Sequence, residues 1–432
     1  MSPRRRRRLT ITLISTPVVL LLVALGVYTA TAASAPLPNL QPVLTVEPTS
    51  EILADVTAAQ AAVDAQALPT AVGWLHDDTV WTNIDQPQKI ASLTKLVTVL
   101  TGLEAAPVAA GEDGPDYTLT SADETLLVET WADNGSGVTV PVGQTLTTRQ
   151  LLQLILIPSA NNYADSYARM VFGDEDAFLA AARDWLARHG LDSVHIVDPS
   201  GMSDDNVATP RDLERLTRLA LEEPIVAEIV AEASAEIPGI GLVETTNRLL
   251  GEPGIIGVKT GTTFPDGYSL SAAQLVALDD RELTAIAVTN GRTNGDDRSG
   301  NTREALAALT TARETITIGE ANERVGSVTT WLGETVPLIL AEPAELTLVP
   351  GDRVSRSLEL TPGSLSADAL AERRETASDS DAATAAAAGT PVGTSTISGP
   401  AGDLTQPIVT ASALNEPDLW WRLTNPALLF GW

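Results

Sequence analysis

The pattern of apolar and polar positions divides the chain into three stretches of different texture. An uncharged apolar run from Leu9 to about Thr29 follows Arg4 to Arg8 directly. At 1.5 Å per residue it spans about 30 Å, enough to cross a bilayer, and the arginines set its N-terminus on the cytoplasmic side. Pro17 inside the run and the small-residue site Ala33-Ser34-Ala35 read as features of a cleaved export signal. Residues 1–35 are thus a signal peptide or a signal anchor, with both fates open, and the rest of the chain lies outside the cytoplasmic membrane. Residues 36–48 read as a proline-bearing linker.

From residue 49 to 320 the periodicity alternates between two and 3.6, the signature of a mixed α and β domain. Thr70 to His76 and Thr79 to Ile84, joined by Asp77-Asp78, predict a hairpin. Leu93, Val97, Leu100 and Leu103 predict a helix over 92–103. Thr147 with Gln150 forms a capping box for a helix through Ile157, which Pro158 ends, so the next residues turn. Thr209-Pro210 with Asp212 opens another helix. Ile255 to Thr263, Tyr268 to Leu278 and Glu282 to Thr289 predict strands, and Arg303 to Ala312 a closing helix. Residues 325–432 change to short β-rich runs and predict a small β domain. Within it, 366–389 is rich in Ala, Ser, Asp and Glu and predicts a loop without packing. The chain closes with Trp420, Trp421, Leu428, Leu429, Phe430 and Trp432. These read either as an interfacial membrane contact or as a cap on the folded domains.

Composition narrows the chemistry. The absence of cysteine among 432 residues excludes a thiol nucleophile, disulfides and thiolate metal sites. A formal charge of −29 argues against nucleic acid as a partner. His76, His189 and His195 are the three histidines and lie on unrelated segments, so neither a histidine metal site nor a Ser-His-Asp triad is expected. His195, in Val194-His195-Ile196-Val197, is expected to pack in a strand. Arginines number 24 against three lysines, Lys89, Lys95 and Lys259. Because a lysine amine, unlike a guanidinium, is readily neutralised by its surroundings, those three invite individual inspection.

Lys95 lies three residues after Ser92, which places both on one face of a helix and pairs a nucleophile with a base. Ser159-Ala160-Asn161 occupies the turn after Pro158, and Lys259-Thr260-Gly261-Thr262 lies on a predicted strand. Two of the three lysines therefore fall in two of three ordered motifs, while Lys89 reads as a surface residue.

The three motifs, their order and spacing, the context Ala91-Ser92-Leu93-Thr94-Lys95-Leu96 and the turn Asp198-Pro199-Ser200-Gly201-Met202 resemble the low-molecular-weight, penicillin-binding D-alanyl-D-alanine carboxypeptidases. The resemblance covers roughly residues 45 to 320, and departs at Ala160, Asn162 and the acidic interval near the end. It implies a β-lactamase/transpeptidase-like domain of the α/β (α+β) class, an antiparallel sheet flanked by helices, followed by the β-rich domain. It implies an exported enzyme acting on peptidoglycan stem peptides that end in D-Ala-D-Ala, inhibited by β-lactams and needing no cofactor or metal. Ser92 is then the nucleophile and Lys95 its base, lowered in pKa by burial and by the charge of Lys259. Ser159 relays a proton to the leaving amine, and Asn161 binds Lys95 or the substrate. Lys259 and Thr260 hold the substrate carboxylate, Gly261 permits close approach of the peptide, and the N–H groups of Ser92 and Thr262 form the oxyanion hole. Arg298 or Arg303 is a further candidate for the carboxylate. A class A β-lactamase needs a deacylating glutamate, absent from His189 to Leu213. A transpeptidase differs only in its acceptor, and a non-catalytic envelope scaffold is the reading from a different class.

Overall fold

The computed structural model describes residues 3–263, 267–376 and 384–431. The chain divides into two compact units, Ala54–Glu314 with Thr347–Asp352, and Met1–Leu53 with Thr315–Leu346 and Arg353–Trp432.

The larger unit is built on a five-stranded antiparallel sheet of β1 (Thr70–Trp74), β2 (Val80–Thr82), β3 (Ile255–Thr263), β4 (Gly267–Leu278) and β5 (Arg281–Arg292). Its spatial order is β3-β4-β5-β1-β2, which leaves β3 at an edge. Both faces are covered. Alternation along β5 sends Ile286 and Val288 into one apolar cluster and Ala285 and Ala287 into another. The first cluster contains the central helix α1 (Thr94–Ala105), buried almost all round, with α2 (Asn161–Phe172) and α3 (Pro210–Glu222). The second lies under α4 (Gly295–Thr311).

Two elements run further than the periodicity predicts. Helix α4 starts at Gly295, not Arg303, because the Asn294 side chain accepts from the backbone N–H of Asp296 and Asp297 and caps a polar first turn. Strand β5 continues past Thr289 to Arg292, whose buried guanidinium donates to the Pro69 carbonyl and the Thr70 hydroxyl at 2.7 Å each. Thr347–Asp352 returns to this unit from the other. Buried Asp352 accepts from the Arg281 guanidinium at 2.9 Å and contacts the His76 ring at 3.2 Å.

The smaller unit carries a seven-stranded antiparallel sheet, in the order Val43–Leu44, Arg324–Thr329, Thr335–Leu340, Gly402–Thr410, Pro391–Gly399, Arg353–Leu360 and Thr49–Leu53. Thr49–Leu53 thus belongs here, paired with Arg353–Ser357, and not to the domain that the sequence begins at 49. In the stretch expected as a linker, Leu37 and Leu40 are buried. The interval 366–389 is not packing-free either: Leu370, Ala385 and Ala386 join the apolar core of this unit, on the helix Ala367–Thr376 and the strand Thr384–Ala386. Residues 377–383 of that interval, and Trp432, lie outside the described residues.

Candidate active site

Ser92 sits in a single 3-10 turn, Ala91–Leu93, that feeds directly into α1. Ala91 holds a positive φ of 48°, a conformation costly for a residue with a Cβ, immediately before the nucleophile. One helical turn on, Lys95 is completely buried, as the i+3 spacing allows. Its Nζ lies 2.8 Å from Ser92 Oγ, 3.0 Å from Asn161 Oδ1 and 2.6 Å from the carbonyl oxygen of Ser200. The helix Thr148–Leu156, capped by Thr147 and Gln150 as its sequence predicts, ends before Pro158, and α2 starts at Asn161. Ser159, between them, takes φ 65° and accepts a hydrogen bond from Lys259 Nζ at 2.8 Å. Lys259, buried on β3, also donates to the Thr260 carbonyl at 3.0 Å, and the hydroxyls of Thr260 and Thr246 lie 2.5 Å apart. The three motifs thus converge from a helix start, an interhelical turn and an edge strand.

Sequence reasoning missed a fourth contributor, the Ser200 carbonyl, because a main-chain acceptor has no side-chain signal. The only trace is the Asp198-Pro199-Ser200-Gly201 pattern. The Asp198 carboxylate accepts from the backbone N–H groups of Ser200, Gly201 and Ser203 at 2.6 to 2.8 Å and from the Ser200 hydroxyl at 2.8 Å. This folds the turn so that the Ser200 C=O faces Lys95. Gly201, at φ 84°, is required there: an added Cβ would lie 2.0 Å from the Ala91 carbonyl oxygen.

Burial brings the Lys95 amine down to about 7, with the charges of Asp165 and Asp198 opposing. Of the two expected causes, burial acts on Lys95, whereas the repulsion between the two lysines falls on Lys259. Lys259 is itself pushed well below the ordinary lysine range, first by burial and then by the charges of Lys95 and Arg298. Geometry defines the consequence. The Ser200 carbonyl and Asn161 Oδ1 can only accept, so a neutral Lys95 amine gives them its two N–H bonds and turns its lone pair toward the Ser92 hydroxyl.

Two expected roles change. Gly261 does not make room for substrate; a Cβ there would point at the Ile90 carbonyl oxygen, 2.8 Å away, and at Ala91. Its lack of a side chain lets β3 lie against the nucleophile turn. Of the two arginines, Arg298 lines the cleft and Arg303 pairs with Glu252 instead. Arg298 is 6% exposed and its guanidinium sits 5.6 Å from the centre of the Tyr268 ring; among the described residues its nearest acceptors are 3.4 to 3.5 Å away and its Nε has no partner. Lys89 pairs with Asp204 at 2.8 Å. His189 stacks on Trp185, and His195, expected to pack, is exposed; only its backbone bridges to Val207. Among the described residues no group of three or more His, Asp or Glu is placed to hold a metal ion.

Ser92, Ser159, Asn161, Thr260, Thr262 and Arg298 line one open cleft of about 770 Å³. Among the described residues lining it none is a glutamate. A serine sharing its proton with a buried lysine, faced by a second lysine on an edge strand, defines an active-site-serine acyl-transfer centre. The fold agrees: penicillin-binding protein 5 of Haemophilus influenzae superposes with a TM-score of 0.53 at 18% identity, over 81% of this chain and 98% of that one. Residues 80–291, within the larger unit, match the model of the D-alanyl-D-alanine carboxypeptidase family, peptidase S11. Among relatives, D-alanyl-D-alanine carboxypeptidase DacB2 of Mycobacterium tuberculosis is 37% identical over 29% of this chain and 45% of its own length. DacF of Bacillus subtilis is 22% identical over 61% of this chain and 67% of its own. The chain thus spans between about half and two thirds of these relatives.

Proposed function

We propose that the chain is a serine-type D-alanyl-D-alanine carboxypeptidase that removes the terminal D-alanine from peptidoglycan stem peptides and is acylated by penicillins. The observation that carries this reading is the contact of Ser92 Oγ with a buried Lys95 whose two other neighbours are pure acceptors. Ser92 Oγ attacks the carbonyl between the two D-alanines while its proton passes to Lys95 Nζ. The oxyanion that forms is met by the N–H groups of Ser92 and Thr262, the former at a helix start. Collapse breaks the C–N bond, and a proton reaches the departing amine through the Ser159 hydroxyl. Water then cleaves the ester and returns the proton to Ser92.

Binding is assigned from the same elements. The stem peptide lies along β3, whose outer edge has no partner strand in the sheet, as an added strand. Its terminal carboxylate meets Lys259, Thr260, Thr262 and the poorly satisfied guanidinium of Arg298. A glutamate-free cleft fits an enzyme that penicillin traps over one that destroys it. A location at the outer face of the cytoplasmic membrane is supported by an N-terminal helix apolar and long enough to cross a bilayer and by the match to a cell-envelope enzyme family.

The test is intact mass spectrometry with benzylpenicillin, with D-alanine release from diacetyl-lysyl-D-alanyl-D-alanine measured in parallel. One slowly lost adduct on Ser92, absent in Ser92→Ala, with Ser92-dependent release of D-alanine, is expected. A folded protein that forms no adduct and releases no D-alanine would leave the scaffold reading.

A further inference from the structure

A second cavity, of about 390 Å³, adjoins the cleft within the larger unit. The two share Asp204 and Thr263, and Lys89, Val207, Gly267 and Gly291 also line the second, the glycines contributing only main chain. Its position along β3 gives it a meaning, on the reading above that the stem peptide adds to that edge. The terminal carboxylate lies beside Lys259 and Thr260 and the scissile carbonyl beside the N–H of Thr262, so the peptide runs antiparallel to β3 and its earlier residues pass Thr263. At about 3.3 Å per residue, the residue before the two D-alanines falls where the two cavities meet. Lys89 and Asp204 face each other there, Nζ to Oδ2 at 2.8 Å, with side chains 36% and 64% exposed. Both ride on segments that build the acyl centre. Lys89 precedes Ser92 by three residues on a short strand, Gln88–Lys89, paired with Val207–Ala208, and Asp204 follows the turn that the Asp198 carboxylate winds.

We propose that this second cavity receives the side chain of the third stem residue, and that Lys89 and Asp204 select a diamino acid whose far end carries an amine and a carboxylate on one carbon. An ion pair this exposed adds little to the stability of the fold, so it can be exchanged for other partners at small cost. An amine arriving on Asp204 and a carboxylate arriving on Lys89 turn two charges into a ring of four that alternate in sign. A stem peptide with lysine at the third position brings the amine alone and sets it beside the Lys89 ammonium. Diaminopimelate, unlinked at that end, brings both groups. The residue type fits as well. Arginines outnumber lysines 24 to three, and the other two lysines belong to the acyl centre; Lys89 supplies a compact charge on a flexible stem that can swing from Asp204 to a ligand. Val207, lining the same cavity, offers apolar contact to the methylenes of such a side chain.

The experiment compares three pentapeptides: L-alanyl-γ-D-glutamyl-meso-diaminopimelyl-D-alanyl-D-alanine, its form amidated at the distal carboxylate, and its form acetylated at the distal amine. With the full chain in detergent, kcat/KM for D-alanine release is expected to be about five- to tenfold higher for the unmodified peptide than for either modified one. Lys89→Met is expected to erase the preference over the amidated form and keep the preference over the acetylated one, and Asp204→Asn the reverse. A pair that only fastens the two segments would lower all three rates in parallel. That result overturns the proposal, as do equal kcat/KM values for the three peptides on the wild type. Ser92→Ala, titrated calorimetrically with the same peptides, is expected to show the same order of affinities without turnover. Absence of D-alanine release with that order intact counts against the carboxypeptidase reading alone, and release without the order counts against this proposal alone.

Discussion

The state of Lys95 makes acylation a titration that can be followed. A lysine at its ordinary value of 10.5 would be neutral in roughly one molecule in three thousand at pH 7, whereas burial to about 7 makes roughly half of the molecules competent, a gain of about a thousandfold. Only the neutral amine can take the Ser92 proton, so activity rises with pH. The competent fraction is about a tenth at pH 6 and about nine tenths at pH 8. The second-order rate of Ser92 acylation by benzylpenicillin should therefore climb about tenfold per pH unit well below 7 and level off above it. Stopped-flow acylation with a chromogenic β-lactam, from about pH 5.5 to about pH 9, measures this on the free enzyme. The charges of Asp165 and Asp198 favour the protonated amine, so Asp165→Asn should move the midpoint to lower pH, by a small amount because burial raises the Asp165 carboxyl itself to about 7. A rate independent of pH across that range, or a midpoint above 9, would refute the claim that desolvation sets the base.

Gly261→Ala places a Cβ 2.8 Å from the Ile90 carbonyl oxygen; overpacking of this kind costs about 1–3 kcal/mol, and thermal melting together with slower acylation should report it. Arg298→Ala should lower kcat/KM for D-Ala-D-Ala peptides by about ten- to a hundredfold, the worth of a charge-assisted pair, and leave a C-terminally amidated peptide unaffected; steady-state D-alanine release distinguishes the two. Asp352→Ala leaves Arg281, 9% exposed, without its carboxylate; a loss of about 3–5 kcal/mol is expected in denaturant unfolding of the larger unit, because an uncompensated buried charge remains.

How much could be read from the sequence varies with physical cause. Strand β3 is legible to the residue because apolar β-formers bracket Lys259 and Gly254 stops the pattern. Ser92, Lys95, Ser159, Asn161 and Lys259 are legible because side-chain chemistry at fixed spacing survives without knowledge of the fold. Ser200 is not, since its part is played by a carbonyl that depends on how the Asp198 carboxylate winds a turn. The role of Gly261 is hidden for a related reason: a missing side chain says that something is close, not whether it is substrate or the Ile90 backbone. Polar first turns conceal the start of α4, and Gly, Pro and Thr conceal the hairpin Pro391–Gly399 and Gly402–Thr410, whose inward Val392 and Ile408 are too sparse to set a period. Burial of Lys95, the largest influence on its proton affinity, is a property of three-dimensional packing and has no sequence correlate.

The excursion of Thr347–Asp352 has a consequence for how this molecule can be taken apart. The backbone passes from one unit to the other at 53/54, 314/315, 346/347 and 352/353, so the units are stitched together and not strung in series. A protease nick between 315 and 346 severs the first link after α4, yet the downstream fragment still carries Asp352, seated against Arg281 and His76. Such a nicked protein stays in one piece until it is denatured. Any recombination event that exchanged the β-rich half as a cassette would have to bring an equivalent of that aspartate or strand a buried arginine.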